Sequence, residues 1–181
     1  MNHNLGDSDI CNVTIKDNDH PLSEILGIYT ATGINADNEE MSWTTTIKED
    51  PEDLTVVWID NLSIGGVDLK EQIAGLGFDY DIRVYGNVSE DHETIAIPLG
   101  QKFAGDKTVI DVLGWYVCLI GGEIVGEDLK LITEGNLLLK KTADGVYKAN
   151  MDLVDELYDN KSGKKMGFWN VTQDAVYTKN K

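Results

Sequence analysis

Gly27-Ile-Tyr-Thr-Ala-Thr32, Trp43-Thr-Thr-Thr-Ile-Lys48, Asp50-Pro-Glu-Asp53 and Leu54-Thr-Val-Val-Trp-Ile59 decide the fold. The first, second and fourth are short runs rich in β-branched and aromatic side chains, the composition of strands. The third is a turn, because a proline behind an aspartate fixes φ and opens a tight bend. Two strands joined by so short a link pair antiparallel without a crossover helix, which steers the chain toward an antiparallel β fold.

The same pattern continues downstream. In Phe78-Asp-Tyr-Asp-Ile-Arg-Val-Tyr-Gly-Asn-Val88, the side chains of Phe78, Tyr80, Ile82, Val84 and Val88 share one face. Asp79, Asp81, Arg83 and Asn87 share the other, which predicts a strand with one buried and one wet face. Ser89-Glu-Asp-His92 then turns the chain into Glu93-Thr-Ile-Ala-Ile-Pro98, with Ile95, Ile97 and Leu99 inward. Pro98 has no N–H to give a ladder, so it ends this strand or lies at an open edge. Residues 108–120 are apolar on both faces and predict a long buried strand bent at Gly114, with Gly121-Gly122 breaking it.

Further strands are expected over residues 128–133, 136–142, 146–150, 166–171 and 175–178, with Ala143-Asp-Gly145 as a hairpin turn. Helical turns are expected within residues 67–76, around Leu69-Lys-Glu-Gln-Ile73. A second helix is expected over residues 151–158, where Met151, Val154, Leu157 and Tyr158 recur at helical spacing behind a capping Asn150. Residues 1–24 are polar and read as a tail, leaving residues 25–181 as one β-barrel domain. The expected fold class is all-β: an antiparallel up-and-down barrel of about eight to ten strands with one or two short helices.

A chain of 181 residues is near the ordinary size of one domain and buries roughly 70% of its unfolded surface. Its formal charge is −17, and residues 1–100 hold 20 acidic against 4 basic side chains. Such a surface repels phosphate backbones, so nucleic acid and anionic membranes are poor partners. The plainer role of the acids is to keep the protein soluble and its sheet edges unpaired. Cys118, inside Trp115-Tyr-Val-Cys-Leu-Ile120, reads as a small buried hydrophobe, and Cys11 as an ordinary thiol in a polar segment. Met1-Asn-His-Asn-Leu5 lacks the basic and apolar regions of a signal peptide. Residues 112–122 are too short a run for a membrane helix, so no transmembrane segment is expected.

Leu26-Gly-Ile-Tyr29, Trp43 with Thr46-Ile47, Val57-Trp-Ile59 with Asn61-Leu62, and Ile95-Ala-Ile-Pro98 with Gly100-Gln101 follow one another in a familiar order. Over residues 26–101 the chain resembles the lipocalin-like, calycin-type β-barrel domain of secreted and cell-surface lipoproteins from gut bacteria. The resemblance implies a barrel and an envelope or secreted location, and carries over no catalytic residue.

Enzyme signatures are absent: there is no GxSxG elbow, phosphate loop or HExxH helix. His3, His20 and His92 fall in expected loops or the tail, where a lone histidine beside acids is ordinary surface. Asp79 and Asp81 are the one tidy acid pair, on a face that reads as solvated. The acids of Asp37-Asn-Glu-Glu40 and Glu49-Asp-Pro-Glu-Asp53 are oxygen-rich enough for Ca²⁺ but lack the spacing of a binding loop and read as turns. No cofactor or metal is expected.

Asn-x-Ser/Thr triplets at Asn12, Asn61, Asn87, Asn160 and Asn170 are the chance product of turn Asn and strand Thr. Trp43, Trp58, Tyr80 and Trp115 are the candidate binding residues. With Trp169, Tyr29 and Tyr116 they would line a cavity for a small hydrophobic ligand or a platform for a glycan, or else fill the barrel. The expected function is a non-enzymatic binding or spacer module, with a lipocalin-type carrier as the alternative; the sequence is silent on oligomeric state.

Overall fold

The computed structural model describes residues 20–103, 107–125 and 128–181. Strands β1 (Gly27–Ile34), β2 (Glu40–Glu49) and β3 (Val56–Asp60) form a meander, and helix α1 (Ile64–Gly75) leads to β4 (Arg83–Val88) and β5 (Thr94–Pro98). Helix α2 (Lys107–Leu113) precedes β6 (Trp115–Val125) and β7 (Asp128–Ile132). The chain ends with β8 (Asn136–Ala143), β9 (Val146–Ala149), β10 (Asp152–Asp159) and β11 (Lys165–Lys179).

Every pairing is antiparallel. The order β1-β2-β3-β4-β5-β8-β9-β11 closes on itself through β1–β11, an eight-stranded up-and-down barrel. Strands β6, β7 and β10 make a second sheet, attached to the first half of β11.

Residues 50–53 make the expected turn. The Asp50 carboxylate accepts from the N–H groups of Glu52 and Asp53 at 2.8 and 3.1 Å, and β2 pairs with β3 from Thr46–Asp60 to Glu49–Val57. Within residues 78–88 the expected alternation holds at Ile82 and Val84, buried, and at Asp79, Asp81 and Arg83, exposed. Phe78, Tyr80 and Val88, however, are only half-buried, and Tyr80 also reaches the outer surface. The ladder, however, begins only at Arg83. Pro98 is the last residue of its strand, and the helix expected over residues 67–76 is present as α1, starting three residues earlier.

Four expectations fail, each for a physical reason. Residues 108–120 are not one strand. They divide into α2, all but its first residue, and the start of β6, because Gly114, at φ +74°, donates its N–H back to the Ile110 carbonyl and ends the helix. An apolar run of that length has no periodicity with which to choose between helix and strand. Gly121 and Gly122 do not break β6; they let it pack. A Cβ would lie 2.3 Å from Met151 Sδ at Gly121 and 2.8 Å from Val154 Cγ2 at Gly122. Residues 151–158 are not helical but form β10, the inner strand of the second sheet, where Leu153, Val154, Asp155 and Glu156 are all buried and no alternation is left to see. Residues 166–171 and 175–178 belong to one strand, β11. It pairs with β10 in its first half and with β1 and β9 in its second, passing from one to the other at Asp174, which has φ +50°.

The barrel encloses a single core. Tyr29, Ala31, Ile47, Val57, Ile59, Val84, Ile95, Ile97, Leu137, Leu139, Tyr147 and Tyr177 are all buried within it. One end is covered by the turn before β1, through Leu22 and Ile25. Leu22 falls within the stretch read as polar tail. The other end is covered by Leu62, Ile64, Leu69 and Ile73, from α1 and the segment that enters it.

The interior tyrosines are tied to these ends. Tyr29 donates to the Ile25 carbonyl at 2.6 Å, Tyr147 to the His92 carbonyl at 3.2 Å, and Tyr177 to the Leu62 carbonyl at 2.7 Å. Burial raises the pKa of all three phenols, keeping them neutral donors. Tyr177→Phe leaves the Leu62 carbonyl without that buried donor. It is expected to cost about 1–3 kcal/mol, read as a lower urea midpoint at unchanged slope.

Candidate functional site

The four candidate aromatics do not form one cavity. Trp43 is interior, 9% exposed; its indole N–H donates to the Asn61 carbonyl at 2.9 Å and its ring meets Tyr177 edge-on. Trp115 lies in the second sheet, stacked on Trp169 with ring centroids 5.3 Å apart. Trp58 and Tyr80 alone are brought together, on the outer wall of the barrel. They line a cleft of about 390 Å³ with Arg83, Tyr85, Gln101, Lys102 and Phe103. That volume lies in the range of small-molecule sites, roughly 300–1,000 Å³.

The cleft follows from a defect in the barrel wall. β4 and β5 pair only at Asn87–Ala96 and Val88–Ile95, so the strands part toward Tyr85. Gln101 supplies the missing ladder. Its side-chain carbonyl accepts from the Tyr85 N–H at 2.9 Å, and its amide N–H group donates to the Tyr85 and Pro98 carbonyls, each at 2.9 Å. Gly100, at φ +85°, turns the chain so that Gln101 can reach. Phe103 is buried at the floor. In the sequence Pro98 marks a strand end and Gly100-Gln101 figures only in the resemblance; the signal for a site was an amide side chain three residues past that strand end.

The outward positions of β3 and β4 face the cleft. Trp58 and Tyr85 are directly opposed, with ring centroids 6.0 Å apart at 71°. Arg83, the only arginine in the chain, sets its guanidinium 4.4 Å from the centre of the Trp58 ring. The Trp58 indole N–H donates to Asp50 Oδ2 at 2.8 Å, which fixes the ring. The Asp50 carboxyl is held below its usual range, first by the Glu52 N–H and next by Trp58. Beyond Phe103, Lys102 places its ammonium 4.0 Å from the centre of the Tyr116 ring, which itself stacks on Tyr158 at 5.4 Å and 6°.

The other candidates lie elsewhere. Asp81 is bridged to Lys48 and Lys70, both at 3.6 Å, and Asp79 is exposed beside Tyr80. The acids of residues 37–40 and 49–53 serve turns. Asn35 Oδ1 accepts from the Asp37 and Glu39 N–H groups, and Asp53 accepts from Thr55. Among the described residues, no group of three or more His, Cys, Asp or Glu is placed to hold a metal ion.

His20 pairs with Glu49 at 3.2 Å, and His92 occupies a turn at φ +58°. Cys118 is buried and free; burial pushes its thiol up to about 11. Cys11, His3 and Asn12 lie outside the described residues. No described helix is long and apolar enough to cross a membrane.

A second cluster was not foreseen from sequence. Asp155 is fully buried between α1 and β11, with Oδ2 accepting from the Ser63 hydroxyl at 2.8 Å. Ser63 also caps α1, and the Ile64 N–H donates to Thr172 Oγ1 at 3.1 Å. Ser63, Thr172 and Asp155 Oδ2 join the helix to the second sheet, whereas Asp155 Oδ1 is buried with no hydrogen-bond partner among the described residues. On β10 the neighbouring Glu156 is also buried, paired with Lys165 and with the Tyr158 hydroxyl.

No protein-family model matches the chain, and no curated protein matches it.

Proposed function

We propose that this barrel is a non-enzymatic binding module of a bacterial envelope or secreted protein, and that it binds a glycan at the outer cleft between β4, β5 and residues 98–103. The observation that carries this reading is the cleft itself. Tyr80 and Tyr85 bring aromatic surface to the lining, beside the sole arginine, where β4 and β5 part. Sugars present both apolar ring faces and hydroxyls, and such a mixed surface suits them. The antiparallel eight-stranded barrel agrees with the calycin-type resemblance, which supports the envelope setting.

The carrier alternative is less well supported. The interior is occupied by Tyr29, Trp43, Tyr147 and Tyr177, whose polar atoms are already bonded to backbone at the barrel ends. The test pairs the two readings. Palmitate and a hydrophobic dye are expected to show no saturable one-to-one binding, whereas oligosaccharides from a glycan array should bind and lose about tenfold or more in affinity on Tyr85→Ala. A micromolar one-to-one palmitate complex that Tyr85→Ala leaves intact would favour the carrier and overturn the cleft.

A further inference from the structure

We propose that the cleft recognises an acidic sugar, a hexuronic-acid unit of a polysaccharide, with Arg83 reading its carboxylate and Lys102 adding a second positive charge. The proposal rests on the cleft being the binding surface and names what that surface selects. Residues 1–100 carry only four basic side chains, and one of them, Arg83, stands in the lining of the cleft. Arg83 forms no ion pair among the described residues. Its guanidinium carbon instead lies over the Trp58 ring, 4.4 Å from the ring centre, a contact that restrains the planar fork suited to a carboxylate.

Trp58 is therefore a positioning residue: Asp50 fixes the indole, and the indole fixes the guanidinium. Lys102 lines the same cleft, its ammonium drawn over Tyr116. Tyr80 and Tyr85 remain to contact the sugar. A neutral sugar can accept hydrogen bonds from the two cations, but only an acidic one adds charge pairing to them. A nucleic acid or membrane would bring many negative charges against a chain of −17, whereas a single carboxylate in the cleft meets the cations at contact range. At 0.15 M salt the Debye length is about 8 Å, which screens the distant acids. The near ones are Asp79 and Asp81, which share a neighbouring hollow with Tyr80 and Arg83, and Asp50, which faces the Arg83 charge; a bound carboxylate has to compete with these.

The experiment is calorimetric titration of the full chain with trigalacturonate and with its methyl ester, at fixed ionic strength, for the wild type, Arg83→Gln and Tyr85→Ala. The free acid should bind about tenfold or more tightly than the ester, the size of effect expected of a charge-assisted pair. Arg83→Gln should abolish that preference, costing the free acid about tenfold more affinity than the ester, and Tyr85→Ala should weaken both ligands. Circular dichroism melts check that the exposed substitutions leave the fold intact. Equal binding of acid and ester to the wild type overturns acid selection and leaves the glycan cleft standing. A preference that survives Arg83→Gln overturns the role of Arg83. Failure of both ligands to bind at millimolar concentration removes this proposal, and the cleft reading falls with it if neutral oligosaccharides also fail.

Discussion

Gly65→Ala is expected to destabilise the domain by about 3 kcal/mol or more, while Gly66→Ala, one residue on, should stabilise it by up to about 1 kcal/mol. The two glycines open the same helix and differ only in what stands over them. A Cβ at Gly65 would lie 2.0 Å from Asp155 Oδ2 and 2.9 Å from Asn170 Cβ. The Asp155 carboxylate is not free to swing away, because Oδ2 accepts from the Ser63 hydroxyl and the Gly65 carbonyl accepts from the Trp169 indole at 3.0 Å. Relief of the overlap would pull α1 off β10 and β11 and leave its first-turn N–H groups without partners.

At Gly66 the nearest atoms are 3.6 Å away, ordinary contact, so alanine adds helix propensity at no steric cost. Urea unfolding of the two variants checks the pair. Similar midpoints would show that Asp155 moves aside freely and that the junction is loose.

What was legible in the sequence is the barrel wall, where each strand has one wet face. Residues 43–59 and 78–98 show their alternation because solvent lies on one side, and Pro98 and the Asp50 turn mark their ends. The second sheet was illegible for the converse reason. β10 is covered on both faces, so its apolar and acidic residues follow no period, and the spacing of Met151, Val154, Leu157 and Tyr158 mimics a helix. Gly121 and Gly122 look like punctuation when their neighbours in space, Met151 and Val154, are unknown.

For the cleft, the aromatic residue types were readable but not their grouping. Trp43, Trp58 and Trp115 look alike along the chain; the register of β3 on β4 sets Trp58 beside Tyr85 and Arg83, while Trp43, on β2 opposite Ala31, is on the buried face. Gln101 was legible only as part of the run that carries the resemblance. Its role exists because β4 and β5 part, a fact of pairing rather than of composition.

Asp155→Asn is expected to make the domain more stable than the wild type at pH 8 and equally stable near pH 4. Burial pushes the Asp155 carboxyl up to about 7, against the Ser63 hydroxyl and Gly65 N–H, which favour the anion, while the Asp68 carboxylate adds to the rise. No cation offsets it: the groups around it are Ser63, Gly65 and Asp68 from α1, and Asn170, Thr172 and Tyr177 from β11. An acid whose pKa is higher in the folded state than in the unfolded chain, where it is about 3.9, destabilises the fold once it ionises. Folding is therefore unpenalised below about pH 4, loses stability as pH rises toward 7, and bears the whole penalty above 7. The interval corresponds to about 4 kcal/mol at most.

Asparagine keeps the Ser63 bond through its oxygen and carries no charge. Its amide N–H group takes the partnerless Oδ1 position as the hydroxyl of the protonated acid does, so it mimics the protonated acid at every pH. Asp50, Asp53, Asp91 and Asp159, which hydrogen bonds hold below the usual carboxylate range, act in the opposite direction but equally in both proteins. They cancel in the difference. Urea midpoints of both proteins from pH 4 to pH 8 should diverge steadily in favour of the variant. A constant difference, or a variant weaker at pH 8, would show that Asp155 meets its charge in the fold without penalty and that its Ser63 and Gly65 contacts outweigh desolvation.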